Sequence, residues 1–92
     1  MIKMVKVVDV KPLGGSRLRV RFSDGSEGEH DFAALLAQGG EMIAPLHDAA
    51  FFKQVHIEYG VLTWPNGFDL DAIALHMKME EAGELNTPAA VK

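Results

Sequence analysis

The stretch Arg17 to Phe22, closed by Ser23-Asp24-Gly25, constrains this chain more than any other. Leu18, Val20 and Phe22 alternate with Arg17, Arg19 and Arg21, so an extended backbone puts the apolar side chains on one face and the arginines on the other. Ser-Asp-Gly is a hairpin turn, and Ser26 to His30 returns beside the first arm with Glu27, Glu29 and then Asp31. A two-residue Asp24-Gly25 loop would pair Phe22 with Glu27 and Val20 with Glu29, driving carboxylates among the apolar side chains. A three-residue loop with Gly25 in the left-handed conformation pairs Phe22 with Ser26 instead. Arg21 then faces Glu27, Arg19 faces Glu29 and Arg17 faces Asp31, and each opposite-charge pair contributes roughly 0.2–1 kcal/mol. The apolar face stays intact only in the second register, which is the expected one.

The rest of the chain reads around this hairpin. Met4 to Val10 is rich in Val, as a strand should be, and the adjacent Val7 and Val8 break its alternation, as a bulge does. Lys11-Pro12-Leu13-Gly14-Gly15 reads as a turn. Asp31 is a candidate N-cap for a helix carrying Phe32, Leu35 and Leu36 and ended by Gly39-Gly40. Met42 to Leu46, with Pro45, reads as an extended connector, and Asp48 caps a short helix through Phe51 and Phe52. Val55 to Tyr59 alternates as a strand, Gly60 turns, and Val61 to Trp64 returns. After the Pro65-Asn66-Gly67 turn, Asp69 or Asp71 caps a last helix whose apolar face is Leu70, Ile73 and Met77, with Gly83 as its end. The expected architecture is α+β: a small antiparallel sheet, built as a three-stranded meander plus a second hairpin, with two or three short helices. Residues 1–83 form a single domain and 84–92 a flexible C-terminal tail.

Several function classes are set aside by composition. The chain has no cysteine, which excludes thiol catalysis and Cys-based zinc sites. Its net charge of −4 argues against non-specific nucleic-acid binding, which depends on neutralising phosphates. Uncharged runs such as Gly60 to Phe68 fall far short of the about 20 apolar residues that cross a bilayer. The N-terminus alternates Lys with apolar residues and lacks the continuous apolar stretch of a signal peptide. No membrane is expected, and the cytoplasm is the expected compartment.

In the second half, Leu46-His47-Asp48, Phe51-Phe52, Val55, Ile57 and Gly60 precede Trp64-Pro65-Asn66-Gly67-Phe68-Asp69-Leu70. Upstream stand Phe22-Ser23-Asp24-Gly25, Asp31-Phe32 and Leu35-Leu36. In this order they resemble a family of small bacterial proteins catalogued as domain of unknown function 2442, over roughly Val5 to His76. The resemblance implies a short α+β domain with no established enzymatic activity. Some such domains are accessory or antitoxin-like partners of a small protein encoded nearby. Others are followed by a helix-turn-helix domain, whereas here only a polar tail follows Gly83.

Among the residues themselves, no catalytic arrangement stands out. Ser16, Ser23, Ser26, Thr63 and Thr87 lie in no nucleophile-elbow motif, and Ser23 and Ser26 flank a turn, where serine supports local backbone bonds. His30, His47, His56 and His76 are widely separated and never at helical ligand spacing. His56 is expected to face solvent, and His30, sharing a face with Leu18, to be partly buried. Asp69-Leu70-Asp71 lacks the ligands and glycine of a calcium loop. No enzyme activity, metal or cofactor is expected. Trp64 has two readings: packed in the core, which a small domain with one Trp favours, or exposed beside a rigid turn as an interaction hot spot. The second makes Trp64, Asn66, Phe68 and Asp69 the first candidates for a partner surface. Arg17, Arg19 and Arg21 are the other candidates, although Glu27, Glu29 and Asp31 compensate them. Six of the nine basic residues fall within the first twenty-one positions, Lys3, Lys6 and Lys11 among them. The leading expectation is a non-catalytic module that binds another small protein, as the accessory or antitoxin-like half of a two-gene system. The alternative is a small-ligand or nucleic-acid-binding regulator that uses the arginine face.

Overall fold

The computed structural model describes residues 4–86. Lys3, Thr87 and the remainder of the expected tail lie outside them. The first sheet is a meander of β1 (Val7–Gly14), β2 (Arg17–Phe22) and β3 (Glu27–Asp31), all antiparallel. The β2–β3 register is the one the charges predict: Arg21 faces Glu27, Arg19 faces Glu29 and Arg17 faces Asp31. The loop is the three-residue form. Phe22 N–H donates to the Ser26 carbonyl, Gly25 N–H to that of Phe22, and Gly25 takes φ +89°.

β1 differs from expectation at its end. The predicted Lys11–Gly15 turn is strand as far as Gly14, because an edge strand tolerates Pro12, which has no N–H to give. The disturbance becomes a register shift between Pro12 and Gly14, and a second shift between Val7 and Asp9 is the bulge expected at the adjacent valines.

Two single-turn helices follow, α1 (Ala33–Leu36) and α2 (Ala49–Phe52). Between them, Ala44–His47 is a 3-10 turn rather than the expected extended connector, with Pro45 near its start, where a missing N–H costs nothing. Asp31 Oδ1 accepts the Ala33 amide and Asp48 Oδ1 that of Ala50. A second antiparallel sheet joins β4 (His56–Glu58), β5 (Val61–Thr63) and β6 (Asp69–Leu70). Tyr59 and Gly60 both have positive φ, as a two-residue hairpin loop requires. Gly60 is also pressed on the Lys6 side chain, where a Cβ would stand 2.8 Å from the Lys6 Cβ.

Asp71, not Asp69, caps α3 (Ala72–Glu81), and Asp69 belongs to β6. Glu84 N–H donates to the Met79 carbonyl and Gly83 N–H to that of Glu80, with Gly83 at φ +73°, which closes the helix as its glycine predicts. The buried face of α3 is Ala72, Leu75, His76 and Met79, whereas the expected Met77 is 54% exposed. A histidine occupies the middle of the true stripe and hides it from an apolar count.

The first residues of the expected tail belong to the fold instead. Leu85–Asn86 is β7, paired antiparallel to β3 and completing the order β1-β2-β3-β7. Gly28 makes this possible: a Cβ there would stand 1.9 Å from the Glu84 carbonyl oxygen.

One core joins the two sheets and α3, with Leu18, Val20 and Phe22 of β2 packed in a cluster with Phe52, Leu62, Trp64, Leu75 and Met79. Gly28→Ala should therefore destabilise the domain by roughly 1–3 kcal/mol or more, since backbone rather than a flexible side chain must give way. Urea unfolding will measure this, and an unchanged midpoint would contradict the crossing of β3 by Glu84.

Candidate functional site

The residues with chemical potential fall into three places. The first is the Trp64–Asp69 turn. Trp64 is 1% exposed and donates its indole N–H to the Phe52 carbonyl at 3.0 Å, so of its two readings the core one describes the molecule. Phe68 is half-buried against Trp64, with ring centroids 5.8 Å apart. Asn66 is occupied on both ends, donating to the Met42 carbonyl and accepting the Phe68 amide. Of the four residues proposed here as a partner surface, only Asp69 is exposed.

The second place is the arginine face. Lys11, Arg17, Arg19 and Arg21 share it with Asp9, Glu27, Glu29 and Asp31, four cations against four carboxylates in register. The two shortest ion pairs run diagonally, and a longer one runs straight across. Arg17 reaches Glu29 at 2.5 Å, and Arg19 reaches Glu27 at 2.9 Å and Glu29 at 3.5 Å. Sheet twist and the length of the arginine side chain favour the diagonal. Arg21 has no ion pair among the described residues. The paired side chains are about half exposed, so each bridge contributes only about 0–1 kcal/mol. A face that is neutral overall offers phosphates little net attraction.

The third place was not visible in the sequence as a site. Asp24, Ser26 and His76 meet beneath the β2–β3 turn, with Ser26 1% and His76 5% exposed. Their residue types are those of a hydrolytic triad, but their geometry is different. In a triad the serine donates to one imidazole nitrogen and the acid accepts from the other. Here His76 Nε2 meets both Asp24 Oδ2 at 3.0 Å and Ser26 Oγ at 3.3 Å, while the Ser26 hydroxyl donates to Asp24 Oδ1 at 2.6 Å. The carboxylate thus holds the hydroxyl proton, and the imidazole N–H points at both oxygens. Phe22 closes the ring of His76 edge-on at 4.9 Å. The arrangement is a buried polar latch that ties α3 to the hairpin turn.

Beside these lies a cleft of about 210 Å³ between the end of β3, α1 and the first turns of α3. Phe32, Leu35, Leu70 and Leu75 provide its apolar lining, and Ala34 and Ala74 leave it open by their small size. His30, Asp31, Asp71 and Lys78 supply polar groups. His30 Nδ1–H donates to Glu84 Oε1 at 2.7 Å, a bond that exists because β7 brings Glu84 alongside β3. In the neutral imidazole this bond places the proton on Nδ1 and makes Nε2 the acceptor. Asp31 Oδ1 accepts the Ser16 hydroxyl and the Ala33 amide, and these two bonds, the hydroxyl foremost, hold its carboxyl below its ordinary value of 3.8. The sequence marked Asp31 as a cap and as a partner for Arg17, and Asp71 as one of two possible caps. The cleft itself depends on β6 and β7, two pairings that no local pattern announces.

The described residues contain no cluster of three or more His, Cys, Asp or Glu that could hold a metal ion, and no helix long and apolar enough to cross a membrane. A family model described as Protein of unknown function (DUF2442) matches residues 7–80, and the chain belongs to that family. No curated protein and no solved structure matches it.

Ser26→Ala should cost about 1–3 kcal/mol in urea unfolding, because a buried imidazole and carboxylate lose their shared hydroxyl. At the other end of the molecule, His56 donates to Glu58 at 2.7 Å, and this bond, then the Gln54 carbonyl, raises its pKa above 6.5. The raised value means the bond's stabilisation is complete below 6.5 and is lost as pH rises through the folded-state value. NMR titration should find His56 deprotonating above 6.5 in the native chain and returning towards 6.5 in Glu58→Gln. No difference between the two would remove the ion pair as the cause.

Proposed function

We propose that this DUF2442 domain is a non-catalytic protein-binding module, the accessory or antitoxin-like half of a pair of small proteins. The observation that carries the reading is the cleft between α1 and α3. Pockets that enclose a drug-sized ligand run about 300–1,000 Å³, and this one, at about 210 Å³, has room for one large side chain. Its lining is mainly apolar, and its His and Asp residues are already engaged in bonds that hold β7 and two helix starts. Such a site anchors a protruding side chain of another protein, in the way a buried hot spot anchors an interface. The buried serine and histidine favour the same reading, because their bonds to Asp24 serve packing rather than proton transfer.

Binding to nucleic acid through Arg17, Arg19 and Arg21 is the weaker reading, since that face is neutral overall and two of the three arginines are paired. The test is co-expression with the product of the adjacent gene, followed by size-exclusion chromatography. Co-elution is expected, and Ala74→Leu, which fills the cleft from an exposed helix position, should weaken it by roughly tenfold or more. Separate elution of the two unmodified proteins would overturn the proposal. Co-elution indifferent to Ala74→Leu would remove the cleft as its surface.

A further inference from the structure

We infer that the cleft selects a basic partner segment, in which an apolar side chain enters the pocket and a neighbouring arginine or lysine reaches its rim. This rests on the reading of the cleft as a protein-binding site and adds the chemistry of what it binds. The unused bonding capacity around the opening is mostly of one kind. His30 spends its Nδ1 proton on Glu84, and in the neutral imidazole Nε2 is an acceptor. Asp31 and Asp71 each use one carboxylate oxygen for a helix amide, and the other oxygen of each has no partner among the described residues. These three acceptors stand against a single cation of the lining, Lys78.

Charge points the same way. Asp31, Asp71 and the Glu84 behind His30 outnumber Lys78 and Arg17, the latter facing Asp31 across the β2–β3 pair, and the whole chain carries −4. The bonds from Ser16 and Ala33 hold the Asp31 carboxyl below its ordinary value. An acidic segment would meet like charge at the rim, which costs more than its contact with Lys78 returns. A guanidinium or ammonium would meet two carboxylates and an imidazole lone pair while its aliphatic stem continues the apolar lining.

The inference is tested with three blocked dipeptides added to the isotopically labelled full chain: acetyl-leucyl-arginine amide, its glutamine analogue and its glutamate analogue. Backbone amide shifts at His30, Ala74, Leu75 and Lys78 report occupancy. The arginine probe should bind roughly tenfold more tightly than the glutamate one, with glutamine between them, and added salt should compress the difference. In Asp31→Asn/Asp71→Asn the preference should vanish while the glutamine probe binds as before, since an asparagine Oδ1 can still accept each helix amide. Ala74→Leu should abolish the shifts for all three. Equal binding of the three probes, a preference for glutamate, or shifts confined to other surfaces would each overturn the inference. If the gene-neighbour complex is sensitive to Ala74→Leu while the probes show no charge preference, only the basic-segment inference falls. If that complex ignores Ala74→Leu, the cleft falls as a protein-binding site.

Discussion

The bond from the Trp64 indole to the Phe52 carbonyl is the contact on which the rest of this small domain depends. It ties the end of β5 to the end of α2, two elements too short to be stable alone. A helix of one turn has almost no intrinsic stability, and a three-residue strand pair is marginal at best. Around the bond runs a chain of rings: His30 against Phe32, Phe32 against Phe52, Phe52 against Trp64, and Trp64 against Phe68. It leads from the first sheet through α2 into the second sheet. With so few residues per element, order must come from side chains that reach between elements, and large rings reach furthest. One consequence is that the indole is committed inward. A surface for a partner has to come from elsewhere, and the cleft at the His30 end of the same ring chain is the opening that packing leaves.

The buried latch under the β2–β3 turn applies a related logic with polar atoms. His76 occupies a position on α3 where a leucine would be the simple choice. It is accommodated because Asp24 and Ser26 supply partners for Nε2, and because the Ser26 hydroxyl donates in turn to the other Asp24 oxygen, Oδ1. A polar group buried with its partners is directional in a way that an apolar contact is not. The hairpin turn is therefore fixed in orientation over the helix, and with it the path of β3 towards the cleft.

What was legible in the sequence, and what was not, follows the range of each interaction. The β2–β3 register was legible because the arginines and carboxylates that flank one turn, between Arg17 and Asp31, discriminate between two loop lengths. Asp48 and Gly83 were legible as helix ends, and Asp71 as one of two candidates, because capping is local chemistry. The buried face of α3 was misjudged because His76 reads as polar until Asp24, far away in sequence, is known to meet it. β6 and β7 were missed because two-residue strands carry no periodicity; each exists only as a partner to another strand. The cleft was invisible for the same reason, since its polar group His30 is oriented by Glu84, a residue assigned to the tail.

Gly28 has a temporal consequence as well as a spatial one. The meander β1-β2-β3 can form from the first third of the chain, but its outer edge is left for β7, at the far end of the described residues. A nascent chain emerging from the ribosome would carry β3 with an uncovered flank until Glu84 arrives to cross the glycine. For that interval the molecule has an exposed edge of the type that recruits foreign strands, and the charged residues alternating along β3 are what guard it. The final turn of α3 and the few residues after it thus act as the closing stitch of a sheet begun much earlier in synthesis, and His30 acquires its orientation only when that stitch is made.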